Sequence, residues 1–327
     1  MKKFCFVLLL CLSFSLTAQK NYNMQGMEMI LQPLMETMYS ANSSNERFAA
    51  NEKFISELED ALDMEKSFSY PFSGLNKINI LTSKDKQFRV FTWAVCDDEG
   101  YWENYGYIQS RNNSTGDYEV YRLFDKSEEI ISPEEQKLND STWFGAIYYD
   151  LIETKFDKRT YYVLLGFDAN DIYTKRRVIE PVYFRNGSGR PVFGQNVFYK
   201  EKERQRYIFE YSTDASFTLH YGEQYYDIVT TQKAKSTVFH KVQPFETVPN
   251  ETKKEKMIFF DELEPATSGM EGLSQYYIPS GEVVGLYFEG GKWKKLKYNV
   301  LPRNKAEKND DYTPDDSKRR TLFPEKK

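Results

Sequence analysis

The spacing of hydrophobic residues changes character along the chain. Between residues 24 and 66, Met27, Ile30, Leu31, Leu34 and Met38 recur three or four positions apart, and after a polar break Phe48, Ile55, Leu58 and Leu62 repeat the pattern. This is the period of one helical face, so two helices are expected, ended by Tyr70-Pro71. Ser43-Ser44-Asn45-Glu46 reads as a capping box at the start of the second, with the serine accepting from the amide three residues on. An amphipathic stripe of this kind is more often core than a partner-binding surface, so the pair is expected to cover a face or edge of the domain that follows.

From residue 77 to about 300 the period falls to two. Segments at 78–82, 87–95, 104–110, 118–124, 143–153, 160–167, 177–184, 195–199, 206–211, 216–221, 225–230, 237–242, 257–260, 283–288 and 293–298 are rich in aromatic and β-branched residues. Turn signals separate many of them, among them Asn112-Asn113-Ser114-Thr115-Gly116-Asp117 and Asn186-Gly187-Ser188-Gly189. No long helical interval breaks the series, which argues against βαβ units. The expected fold is all-β, an antiparallel meander closing as a sandwich or an irregular propeller-like array, preceded by an N-terminal helical pair. No strict repeat with fixed Gly or Trp positions appears.

The two ends differ from this body. Met1-Lys2-Lys3, the apolar run of residues 4–12 and the small-residue exit to Ala18 read as a signal peptide, too short to span a bilayer. The expected organisation is a signal peptide at 1–18, a helical segment at 19–76, an antiparallel β domain at 77–301 and a charged flexible tail at 302–327. That tail carries 14 charges in 26 residues with three prolines, a composition too polar to offset the entropy of ordering. Export to the periplasm or cell surface is implied, with no membrane span after cleavage.

Composition then narrows the chemistry. The chain has 327 residues, 44 Lys plus Arg against 49 Asp plus Glu, two histidines and three cysteines. Loss of residues 1–18 would move the net charge from −5 to −7 and leave Cys96 as the lone cysteine. An acidic chain without clustered cations is a poor fit for nucleic acid. Zinc would need more Cys and His than His220, His240 and Cys96 supply, and no phosphate-cradling glycine motif or serine elbow occurs, so no metal and no cofactor is expected. Cys96 ends an apolar strand and is followed by Asp97 and Asp98, which would raise a thiol pKa. His220 falls with the polar set of its strand.

Carboxylates and aromatics remain. Asp168, Asn170 and Asp171 follow a strand and resemble half of a calcium loop, but Tyr173 and Ile179 stand where such a loop needs Gly and Glu, so a hairpin turn is preferred. Glu180 shares the apolar alternation of Val178, Val182 and Phe184, which turns its carboxylate inward, with Arg176, Arg177 or Arg185 as candidate partners. These four, Asp168, Asn170, Asp171 and Glu180, are the candidate binding residues, and no catalytic residue is assigned. Aromatics make up 16% of the chain and include the pairs Tyr101-Trp102, Tyr148-Tyr149, Tyr161-Tyr162, Tyr225-Tyr226 and Tyr276-Tyr277. Neighbours on a strand point to opposite faces, so some of these rings are expected outside, as contact area for protein or glycan, unless cross-strand pairing takes them.

Phe88-Arg89-Val90-Phe91-Thr92-Trp93, Tyr105-Gly106-Tyr107-Ile108-Gln109, Trp143-Phe144-Gly145-Ala146-Ile147-Tyr148-Tyr149 and the stretch from Tyr161 to Asn170 together resemble a group of secreted proteins of Bacteroidota. The resemblance covers roughly residues 79–299 and implies a bacterial source and an export route, with no activity attached. Asp140-Ser141-Thr142 resembles an O-glycosylation acceptor of such bacteria. Two functions are therefore expected of different kinds. The first is a non-catalytic exported protein that binds protein or glycan through aromatic surface. The alternative is a carboxylate-dependent glycan-acting hydrolase, for which two Asp or Glu side chains suffice.

Overall fold

A computed structural model of the chain describes residues 23–229 and 249–296. The signal-peptide segment, the strand expected at 237–242 with His240, and the charged tail lie outside the described residues. Helices α1 (Met24–Ser40) and α2 (Ser44–Leu62) form the expected pair. Asn23 caps α1 by accepting from Gly26 N–H at 2.9 Å, and Ser43 caps α2 by accepting from Glu46 N–H at 3.4 Å. Each cap satisfies an amide that the first helical turn leaves without a partner.

Fourteen strands among the described residues form three antiparallel sheets. The first is a meander of β1 (Asn79–Thr82), β2 (Phe88–Cys96), β3 (Trp102–Arg111) and β4 (Tyr118–Phe124). The second contains β5 (Leu138–Asn139), β6 (Ile147–Phe156), β7 (Arg159–Asp168), β8 (Thr174–Phe184), β9 (Pro191–Phe193) and β10 (Tyr207–Ser212), in the order β5-β9-β8-β7-β6, with β10 also on β8. The third is a meander of β11 (Leu219–Val229), β12 (Pro249–Pro265), β13 (Tyr277–Glu289) and β14 (Lys292–Lys295).

The helices and sheets stack in series, and strand alternation explains how. On β2, Phe91, Trp93 and Val95 pack against the helices, while Phe88 and Val90 point the other way onto the second sheet. On β7, Tyr162 and Leu164 face the first sheet, and Val163 and Leu165 face the third. The inner strands are thus covered on both sides, which is why they read as continuous apolar runs. Double coverage also takes up two of the aromatic pairs. Tyr148 and Tyr162 are buried and their neighbours Tyr149 and Tyr161 half-buried. Parallel bridges, Asp125 to Trp143 and Phe198 to Trp293, tie each sheet to the next.

Some strand expectations are corrected. Segments 216–221 and 225–230 are one strand, β11, and 195–199 is irregular apart from the Phe198 bridge. Strand β6 begins at Ile147, not Trp143, because residues 143–146 are folded into the contact between sheets one and two. The short β5 and β9 carry too few residues to show a period.

Strand β8 has an edge shared end to end. Its first half, Thr174–Ile179, pairs with β10 and its last three residues with β9. Glu180 and Pro181 lie at the junction. The Pro181 carbonyl accepts from Gly194 N–H at 2.7 Å, so its missing N–H falls where neither neighbouring strand offers an acceptor.

Candidate functional site

The β7–β8 hairpin turn carries three of the four candidate residues. Asn170 adopts a left-handed backbone with φ of 54°, and its N–H donates to Asp168 Oδ1 at 3.0 Å. Asp171 Oδ1 accepts from the amides of Tyr173 and Thr174, both at 2.7 Å. These are the bonds of a tight polar turn, as the hairpin reading expects.

Above the turn a cleft of about 350 Å³ opens between the ends of the first and second sheets. Its walls come from the start of β3, the end of β4 with the following residues 125–129, the β7–β8 turn and the start of β8. Asp168 and Asn170 line it, as does Arg176, whereas Asp171 faces its own turn. Trp102 N–H donates to Asn170 C=O at 2.9 Å and fastens the two sheets across it.

Asp168 is the centre of a polar cluster on the cleft floor, and only 2% of it is exposed. Its Oδ1 accepts from Asn104 Nδ2 at 3.0 Å, and its Oδ2 lies 3.4 Å from Arg176 Nη1. Arg176 also reaches Glu128 at 2.9 Å and Glu210 at 3.5 Å. Asn104 Nδ2 makes a second bond, to Asp125 Oδ2 at 3.2 Å, so one amide nitrogen bridges two carboxylates. Burial pushes the Asp168 carboxyl up to about 6, against the opposing pull of the Asn104 hydrogen bond and the Arg176 charge. Asn104 Oδ1 is buried with no donor.

The rim is aromatic. Trp102 is 36% and Phe124 46% exposed, and both line the cleft. Tyr101, Ile172 and Tyr173 on the adjoining loops are also exposed, so five of the large exposed apolar side chains gather at this end of the molecule. Gly100, with φ of 92°, lies so close to Ile172 that a Cβ would stand 2.5 Å from its Cγ2. The two loops therefore form one surface.

Glu180 is elsewhere. It faces inward, as its alternation implies, but it is wholly buried between the first two sheets and lines none of the principal clefts. Its partner is corrected to Arg206, whose Nε donates to Oε2 at 2.7 Å; Arg176 belongs to the Asp168 cluster. Register explains the pairing. Tyr207 stands opposite Ile179, so the residue before it stands opposite Glu180. Arg206 also donates to the carbonyls of Pro133, Gln136 at 2.9 Å and Phe193 at 3.2 Å. Burial raises the Glu180 carboxyl to about 7, with the Arg206 charge opposing. The pair plugs the gap between β9 and β10 and belongs to the fold.

Sequence reasoning missed Asn104, Asp125, Arg176 as a cleft residue, and Arg206. Asn104 carries the signal that singled out Glu180, since it shares an inward alternation with Gly106, Ile108 and Ser110. Arg206 ends the charged stretch Lys200-Glu201-Lys202-Glu203-Arg204-Gln205-Arg206, which reads as a solvated run.

Cys96 and His220 line no part of the cleft. Cys96 donates to Asp97 C=O at 3.4 Å, and burial first, then the Asp97 charge, raises its thiol. His220 is exposed and packs edge-on against Phe259. Among the described residues no three of His, Cys, Asp and Glu come together as a metal site, and no helix is long and apolar enough to cross a membrane. No protein-family model matches the chain, and no curated protein matches it in sequence.

Proposed function

We propose that the protein is an exported, non-catalytic glycan-binding protein whose site is the cleft between the first two sheets. The observation that carries this reading is the pairing of an exposed indole and phenyl, Trp102 and Phe124, with a polar floor of buried Asp168 and Asn104 and half-buried Arg176. Sugars present apolar C–H faces that stack on aromatic rings and hydroxyls that pair with fixed carboxylates and guanidinium groups. A cleft of about 350 Å³ suits a sugar unit or two better than a broad protein epitope. Export rests on the amino-terminal leader pattern.

Calorimetric titration with a panel of neutral and acidic oligosaccharides tests the reading. At least one is expected to bind, and Trp102→Ala to weaken it by roughly 10- to 30-fold, the loss typical of an aromatic anchor. Binding that ignores both Trp102→Ala and Phe124→Ala would remove the cleft from consideration.

The hydrolase reading draws on Asp125 and Asp168, two carboxylates that accept from one amide nitrogen, at 3.2 and 3.0 Å, and so lie side by side in the cleft. Their engagement argues against it. Asp125 Oδ1 already accepts from Ser127 N–H at 2.9 Å, the Ser127 hydroxyl at 2.5 Å and Gly145 N–H at 3.1 Å, and Asp168 is held by Asn104, Asn170 N–H and Arg176. Release of reducing ends from a bound glycan, lost in Asp168→Asn, would reverse the ranking.

A further inference from the structure

Among the described residues two arginines are buried, and they are treated differently. Arg206 faces the Glu180 carboxylate. Arg89, on β2, is 2% exposed, and its Nη atoms donate only to neutral oxygens: Tyr70 C=O at 2.6 Å, Ser67 C=O at 2.7 Å and Gln109 Oε1 at 2.8 Å. Its Nε–H has no acceptor. The guanidinium lies among the rings of Phe68, Phe72 and Phe91, 4.6 Å from the nearest centroid. Among the described residues no carboxylate pairs with it, and burial alone lowers its pKa to about 10. Buried charges in proteins are ordinarily paired, so a counter-charge is missing.

Space for one lies beside it. Arg89 lines a cavity of about 520 Å³ bounded by residues 68–71, β1, the β1–β2 turn and Tyr118. The other charged residue on its wall is Lys86, and no Asp or Glu lines it, in a chain that is acidic as a whole. Its other walls are largely apolar, with Phe68 stacked on Tyr118 at 3.6 Å between centroids and Ile80 on β1.

We propose that this cavity binds a small organic monocarboxylate with a flat apolar body, drawn to the cations of Arg89 and Lys86 and seated against Phe68, Tyr118 and Ile80. A planar guanidinium suits a carboxylate, and the cavity volume falls in the range of small-molecule sites. The site is separate from the glycan cleft, so either can fail without the other.

Titration of the full chain with sodium benzoate, against benzyl alcohol as a neutral analogue of similar size, tests it. Benzoate is expected to bind roughly tenfold or more tightly than the alcohol, the worth of a charge-assisted hydrogen bond. Lys86→Glu, an exposed change, and Thr82→Trp, which fills the cavity from β1, should each weaken benzoate severalfold while the melting temperature holds. Arg89→Lys should do the same if it folds. Equal affinity for the two probes, no binding at millimolar benzoate, or benzoate affinity unmoved by both Lys86→Glu and Thr82→Trp overturns the proposal.

Discussion

Asp168 shows how a single side chain links the cleft to the stability of the fold. Its carboxyl rises from the ordinary 3.8 to about 6, so the folded protein holds this proton more tightly than the unfolded chain does. The stabilisation is complete below pH 4 and is lost as pH rises through 6, by on the order of 3 kcal/mol. Glu180, raised to about 7, acts in the same direction over the window from about 4.5 to 7. Unfolding free energy measured in denaturant is therefore expected to decline between pH 4 and 7. Asp168→Asn should make that decline shallower, and an unchanged slope would mean that Asp168 is not buried as described. The Glu180–Arg206 pair makes a second prediction. Arg206→Ala alone leaves a buried carboxylate without its cation and should cost about 3–5 kcal/mol, whereas Glu180→Leu combined with Arg206→Met should recover most of the loss. A double-mutant cycle reads the coupling.

At the scale of the element, the residues around the cleft depend on backbone positions that admit no side chain. A Cβ on Gly145 would stand 2.0 Å from Asp125 Oδ2. Gly145→Ala is expected to expel the Asp125 carboxylate, free residues 125–129 and cost about 1–3 kcal/mol by overpacking. A melting temperature within experimental error of the parent would refute that account. The elements themselves were largely legible, because strand and helix periods are local properties: β2, β4, β7 and β8 lie close to where their alternation puts them, and both helices run where their stripes put them, the second capped by Ser43 as its sequence implies. What was illegible is pairing. Arg206 meets Glu180 only because β10 adds to β8 in one register, and Asp125 reaches Asn104 only because β4 lies beside β3. Two-residue β5 has no period to read, and the unity of β11 was hidden by Gly222-Glu223-Gln224, which resembles a turn.

At the scale of the whole molecule, the described residues form a pile of four layers, and each inner face is covered by the next. Removing residues 19–76 would strip the helices from Phe91, Trp93, Val95 and Tyr107. The truncated chain is expected to bind hydrophobic dyes and aggregate, since so large an apolar face is rarely left open in a soluble protein. A monomeric, dye-silent product would show that the first sheet needs no such cover. The layering also limits outward-facing rings: two flanked sheets consume aromatics on both faces, and among the described residues Tyr101, Trp102, Phe124 and Tyr173 stay exposed at the cleft end while Phe156, Tyr199 and Tyr276 are exposed elsewhere.

A serial stack has ends, and its ends have neighbours on one side only. Local opening should therefore run inward from the two outer layers, with graded free energies. In amide hydrogen exchange, β2, β7 and β8 would be the last to take up deuterium, and the helices and the third sheet would exchange earlier and independently of each other. A sugar in the cleft, which touches only the first two sheets, would slow exchange in β3, β4 and the β7–β8 turn while leaving β11 to β14 at their original rates.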